Sequence, residues 1–291
     1  MTTTLRQKLT AVKDSGKKVL SFFITAGYPR PADTVNIVRS LADNGADLVE
    51  LGIPFSDPIA DGPVIQAASE QALRGGITLR GTLDLAAEIR KHTPIPIVLM
   101  GYANPIFRFG MAKFFSHCAS IGIDGTIIPD VPLEESAEYR ELAGGSGVAP
   151  IFLAAPTSSD DRLRQLDEAS QGFLYCVSIT GVTGAREGLP QQASDFLRRA
   201  RGIVKNNPLL VGFGVTTPAD AVALCRGNQG LRPISSAKSV SVPDFPSGLC
   251  DGVIIGSSLL RHIGSLPSQT IASEAGLFAR NFRAAVDKIG D

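Results

Sequence analysis

Eight short apolar runs recur along the chain with helix-length stretches between them, and this alternation limits the possible folds more than any other feature. The runs are Val19 to Ile24, Ala46 to Ile53, Ile95 to Met100, Gly125 to Ile128, Ala149 to Leu153, Phe173 to Val177, Leu209 to Phe213 and Gly252 to Ile255. Amphipathic stretches lie between them over Ala32 to Asn44, Thr82 to His92, Met111 to Ile121, Leu133 to Ala143, Asp160 to Glu168 and Gln191 to Val204. Strict strand-then-helix order implies parallel strands joined by crossovers. Strands covered on both faces read as continuous apolar runs, and eight such units close into a barrel more naturally than they form an open sheet. The open doubly wound sheet is the competing arrangement. Its GxGxxG turn is missing, since Phe23-Ile24-Thr25-Ala26-Gly27-Tyr28-Pro29 holds one glycine. The expected fold is therefore α/β, a single (β/α)8 TIM barrel over residues 1–291 with an extra N-terminal helix. One segment breaks the rhythm: Gly227 to Ser247, rich in Ser, Pro and Gly, reads as an insertion before the eighth strand. Such a connection lies at the bottom of a barrel, so it is read as a surface loop, with a partner contact as the other possibility.

A length of 291 residues suits one such barrel. With 28 basic and 28 acidic residues and no basic run, the chain lacks the charge footprint of a nucleic-acid or membrane-surface binder. A small-molecule substrate is the expectation. Met1 to Lys18 has no apolar signal core, and no run approaches the roughly 18 apolar residues of a spanning helix, so a soluble, cytoplasmic protein is expected. Cys118, Cys176, Cys225 and Cys250 are widely spaced in mostly apolar segments and read as buried free thiols.

Barrel enzymes carry their chemistry at the C-terminal ends of strands and in the loops that follow. Glu50 lies within the second apolar run, on the same face as Leu48. A carboxyl held among apolar side chains resists ionising and becomes able to give and take a proton near neutrality. A buried glutamate satisfied structurally is the plainer alternative. Asp61 follows in Pro54 to Pro63, a loop with three prolines, two aspartates and a glycine. It supplies either a second carboxylate in a wetter setting or a cap for the helix starting near Pro63. Spacing alone leaves both open.

Glycine-containing turns end the last three strands: Gly181-Val182-Thr183-Gly184, Gly212-Phe213-Gly214 and Gly256-Ser257-Ser258. Such turns let backbone N–H groups approach an anion, and a short helix starting at Ser257 would add its dipole, which together point to a phosphate site. Phe23, Met100, Ile127, Leu153, Tyr175 and Phe213 fall at or near strand ends, where they would line an apolar pocket for a flat aromatic group. None of the nine lysines sits at a strand's C-terminal end, so a Schiff base has no nucleophile. His92, His117 and His262 lack ligand spacing, so a zinc-assisted mechanism lacks its ligands.

The segment Leu51-Gly52-Ile53-Pro54-Phe55-Ser56-Asp57-Pro58, continuing through Ala60-Asp61-Gly62-Pro63 to Ile65-Gln66, closely resembles the signature of tryptophan synthase α subunits. The likeness extends through Tyr102-Ala103-Asn104-Pro105, Pro129-Asp130-Val131-Pro132, the three glycine turns and Asp251 to Ser257, covering the chain except for the insertion. This resemblance implies a lyase of tryptophan biosynthesis: retro-aldol cleavage of indole-3-glycerol phosphate to indole and glyceraldehyde 3-phosphate. Indole would pass to a pyridoxal-phosphate β subunit in an αββα heterotetramer, with no cofactor in this chain. By the same resemblance, Glu50 protonates indole C3, Asp61 pairs with the indole N–H, and Tyr175 positions Glu50. Gly184, Gly214, Gly256 and Ser257 hold the phosphate, Thr183 belongs to a loop that closes over it, and Asp57, Asn104 and Pro132 match the β-subunit contact. Tyr28 and Ile179 depart from the family pattern, in Gly27-Tyr28-Pro29 and the sixth loop. A stand-alone lyase that releases indole, and a catalytically silent phosphate-binding barrel that activates a β subunit, are the competing readings.

Overall fold

The computed structural model describes residues 4–177, 191–226 and 248–289. Its strands run all parallel: β1 (Val19–Thr25), β2 (Leu48–Gly52), β3 (Ile97–Met100), β4 (Gly125–Ile127), β5 (Ala149–Ile151), β6 (Leu153–Ala154), β7 (Leu174–Cys176), β8 (Leu209–Val211) and β9 (Gly252–Ile255). The sheet order is β5-β4-β3-β2-β1-β9-β8-β7-β6. The two outermost members are consecutive, separated only by Phe152, so the sheet closes on itself through the chain. Eight apolar runs thus give nine strand segments, because the fifth run is interrupted where Phe152 donates its N–H to Ser170 Oγ at 3.1 Å. The expected (β/α)8 barrel is the fold observed.

The helices are α1 (Leu5–Asp14), α2 (Thr34–Asp43), α3 (Pro63–Arg74), α4 (Leu79–His92), α5 (Ala103–Phe109), α6 (Met111–Ile121), α7 (Ala137–Gly145), α8 (Asp160–Ala169), α9 (Gln191–Ile203), α10 (Pro218–Arg226), α11 (Ser257–Ile263) and α12 (Ser268–Val286). The extra helix α1 starts at a reciprocal Thr4–Gln7 capping box. It plugs the bottom of the barrel with Leu5 and Leu9, which join Val19, Leu48, Val98, Ile127, Phe173, Leu210 and Ile254 in the interior. Leu5 fits because Gly125 and Gly172 carry no side chain: a Cβ on either would stand within 3.0 Å of its methyl. A second, larger core lies between the strands and the outer helices, among them Phe22, Ile37, Leu41, Phe114, Phe115 and Phe282.

Strands are tied in pairs at the bottom rim. Asp47, Asp124 and Asp251 each precede a strand and reach back to the one before it. Asp47 accepts Leu20 N–H and donates its own N–H to Leu20 C=O, both at 2.9 Å. Asp124 does the same with Ile97, and Asp251 with Leu209. Ser170 is the fourth such tie, through Phe152. Each aspartate is neutralised by an arginine: Arg283 on α12, Arg90 on α4 and Arg201 on α9.

The cysteines are all buried and free, with Cys225 and Cys250 Sγ atoms 3.9 Å apart. No helix among the described residues is long and apolar enough to cross a membrane. The Gly227 to Ser247 insertion, and Gly181, Thr183, Gly184 and Ile179 of the sixth loop, lie outside the described residues.

Candidate active site

The site forms where β1, β2 and β3 end. Strand periodicity turns Leu48, Glu50 and Gly52 to the barrel interior, and Glu50 is wholly buried. Its Oε1 accepts a hydrogen bond from Ser21 Oγ at 2.8 Å, while Oε2 has no partner among the described residues. Burial pushes this carboxyl up to about 8, opposed by the Ser21 bond.

Asp61 sits above it, in the loop from β2 to α3. Tyr102, just past β3, donates its hydroxyl to Asp61 Oδ2 at 3.1 Å and accepts Ala60 N–H at 3.0 Å, so one phenol fixes both carboxylate and loop. The ring of Phe55 packs against Tyr102 with centroids 5.2 Å apart. The loop is shaped further by bonds from Asp61 N–H to Pro58 C=O and from Gln66 Nε2 to Asp61 C=O. Partial burial pushes Asp61 up to about 6, with the Tyr102 bond working against it. Its side chain accepts from Tyr102 rather than capping α3, whose N-cap, Gly62, has no side-chain bond. Asp61 also shares a cleft with Phe23, Gly52, Ile53, Ile65, Ser69, Met100, Gly101 and Tyr102. Glu50 lies one inward position below Gly52, under this cleft rather than in its wall. The void measures about 10 Å³, which is room for about one water.

Tyr175, on β7, is buried in the interior and feels both carboxyls; burial first, then Glu50 and Asp61, hold its phenol well above the usual range. Its hydroxyl occupies the place a side chain on Gly212 would need: a Cβ there would stand 2.2 Å from Oη. Gly52 makes similar room for the Phe23 ring, at 2.6 Å.

Of the expected apolar wall, Phe23 and Met100 reach the cleft with Asp61. Ile127 is part of the interior core with Leu153 packed against it, and Phe213 packs half-buried on the outer core. Gly214, with φ of +69°, follows β8, and Gly256 follows the adjacent β9 as the N-cap of α11, with no side-chain cap bond. The short helix expected at Ser257 is α11. Asp57, Asn104 and Pro132 are all exposed, in the loops and helix that follow β2, β3 and β4. Sequence reasoning assigned no role to Tyr102 or Ser21. Both carried a signal: a tyrosine opening the loop next to that of Asp61, and a hydroxyl in the otherwise apolar start of β1.

The profile of the family described as "Tryptophan synthase alpha chain" matches residues 9–287. The chain belongs to the tryptophan synthase alpha chain family. A tryptophan synthase alpha chain from Dehalococcoides mccartyi is 40% identical over 271 residues, 93% of this chain and 96% of its own. One from Geotalea daltonii is 38% identical over 270 residues, 93% and 94% of the two chains. Among solved structures, the tryptophan synthase alpha chain of Legionella pneumophila superposes over the full length of both chains, with TM-score 0.84 and 32% identity. A chain of the tryptophan synthase a2b2 complex of Pyrococcus furiosus covers 91% of this chain and 98% of its own, with TM-score 0.79 and 37% identity. The reaction of the tryptophan synthase alpha chain family is cleavage of indole-3-glycerol phosphate in tryptophan biosynthesis, a lyase half-reaction.

Proposed function

We propose that Glu50 and Asp61 divide the retro-aldol chemistry between them. Glu50, protonated at neutral pH, gives its proton to indole C3, which leaves C3 tetrahedral and the ring an iminium cation. Asp61, ionised, accepts the indole N–H and stabilises that charge. The carboxylate of Glu50 then takes the proton of the side-chain hydroxyl next to C3. The carbon–carbon bond breaks, its electrons return to the ring, and indole and glyceraldehyde 3-phosphate separate with Glu50 reprotonated. The substrate's own ring is the electron sink, so the chain's residues need no bound cofactor for this step.

The observation that carries this reading is the contrast between the two acids: one wholly buried with an oxygen that has no partner among the described residues, the other half-buried and held by Tyr102. Unlike environments give paired carboxyls unlike roles. Tyr175, whose phenol feels the charge of Glu50, would limit where that carboxyl can go. Gly214, Gly256 and Ser257 would hold the phosphate with backbone N–H groups, supported by the positive φ of Gly214 and the uncapped start of α11. Gly184 and Thr183 complete that proposal from the sixth loop. Ile127, Leu153 and Phe213 back the aromatic pocket fronted by Phe23 and Met100.

Asp57, Asn104 and Pro132 would meet a pyridoxal-phosphate β subunit in an αββα assembly in the cytoplasm. Two exposed apolar side chains on the same elements favour this: Ile59, 84% exposed, and Phe107, 56% exposed. The decisive experiment is indole formation from indole-3-glycerol phosphate by the parent and Glu50→Gln. The expected result is loss of turnover by a factor of about 10³ or more, with glycerol phosphate still bound. Substantial turnover by the variant would refute the role of Glu50.

A further inference from the structure

Ser21 is wholly buried on β1, whose first six residues are otherwise Val19, Leu20, Phe22, Phe23 and Ile24. A hydroxyl in such surroundings is costly unless bonded, and the bond it makes is to Glu50 Oε1, at 2.8 Å. Strand register explains the meeting. Phe23 pairs with Glu50 and Ser21 with Leu48, so Ser21 lies one inward layer below Glu50, on the diagonal that a long side chain can span. The two carboxyl oxygens are thereby made unequal: Oε1 is engaged from below, and Oε2 is buried without a partner among the described residues.

We propose that Ser21 is a positioning residue for the proton transfer, holding Oε1 so that Oε2 carries the exchangeable proton. This rests on the reading of Glu50 as the acid. An unrestrained carboxyl would rotate between two equivalent faces, and only one presents a proton along a productive path; the Ser21 bond removes that rotation. The bond also does electrostatic work. A hydroxyl donor stabilises the anion left after Glu50 has protonated C3 more than it stabilises the acid, which opposes the effect of burial. Because Ser21 lies beneath the cleft and is not among its lining residues, its loss is felt in the chemical step rather than in substrate binding.

The test compares Ser21→Ala with the parent in kcat, KM and the pH dependence of kcat, with folding checked by thermal melting. The expected result is a fall in kcat of about tenfold, an unchanged KM, and an alkaline limb moved upward by about one pH unit. Ser21→Cys, with a weaker donor of similar size, should shift the limb the same way by less, and it replaces the alanine variant if that fails to fold. A folded variant with the parental kcat and limb overturns the proposal, as does loss of melting temperature without movement of the limb. Glu50→Gln separates the two readings. If it keeps turnover, the assignment of Glu50 fails; if it is inactive while Ser21→Ala keeps the parental limb, only the role of Ser21 fails.

Discussion

Two carboxyls raised by different degrees of burial predict how activity follows pH. In the proposed mechanism Glu50 is the acid, and burial has it lose its proton as pH rises through about 8. In the same proposal Asp61 serves as the anion, and it is neutralised as pH falls through about 6. The rate should therefore trace a bell with limbs near those values, read from kcat between pH 5 and 9; a single limb would mean that only one of the two titrates in the reaction. The Tyr175–Gly212 contact gives a second expectation at this scale. Gly212→Ala forces Tyr175 out of place and should lower kcat by about 10²-fold. Shortening the partner, as in Gly212→Ala with Tyr175→Leu, should restore melting temperature without restoring kcat. Single residues were partly legible in the sequence. Glu50 stood out because a charge in a parallel strand's apolar run has few structural uses. Asp61 did not separate from a helix cap until its carboxylate was seen to accept from Tyr102, across two different loops. Such a contact between residues 41 positions apart has no local signature.

Among elements, the strands were readable nearly to the residue, since runs such as Gly252 to Ile255 begin and end where the structure does. The fifth was not. Nothing in Ala149 to Leu153 announces that Phe152 turns its N–H to a serine on the neighbouring connection. Helices α5 and α12 also fell outside the periodic stretches, and α3 was expected only by its start near Pro63: α5 opens at a loop with proline and glycine that read as irregular, and α12, at 19 residues, follows the eighth strand with α11 between. The bottom-rim aspartates were equally silent in sequence, because each looks like an ordinary loop residue. Their energetic weight is testable. Asp251 is buried and holds Leu209 N–H, Arg201 and Lys13 together. Asp251→Ala should cost about 3–5 kcal/mol by leaving the arginine and strand amide without this acceptor, measured by urea unfolding. A loss below about 1 kcal/mol would show that water replaces the carboxylate there.

At the scale of the whole molecule, the barrel and its reaction were legible because strand-helix alternation and the Leu51 to Gln66 signature agree. A β partner was legible through the same signature, but the apolar content of its contact was not, since an interface shows in one chain only as exposed side chains. In the proposed contact, Ile59 and Phe107 are the exposed apolar side chains to test. Ile59→Ser combined with Phe107→Ser should leave indole release by the isolated chain unchanged, yet reduce stimulation by an added β subunit about tenfold or more. Full stimulation would move the contact elsewhere. The ties at the bottom rim carry a last consequence. They join β1 to β2, β3 to β4, the β5–β6 junction to β7, and β8 to β9, and none uses a residue of the cleft. The closure of the barrel and the content of its mouth are therefore separately heritable. Loops above can be exchanged, lengthened or given another chemistry while the floor stays intact, and the natural seams for grafting or shuffling fall between the tied pairs rather than within them.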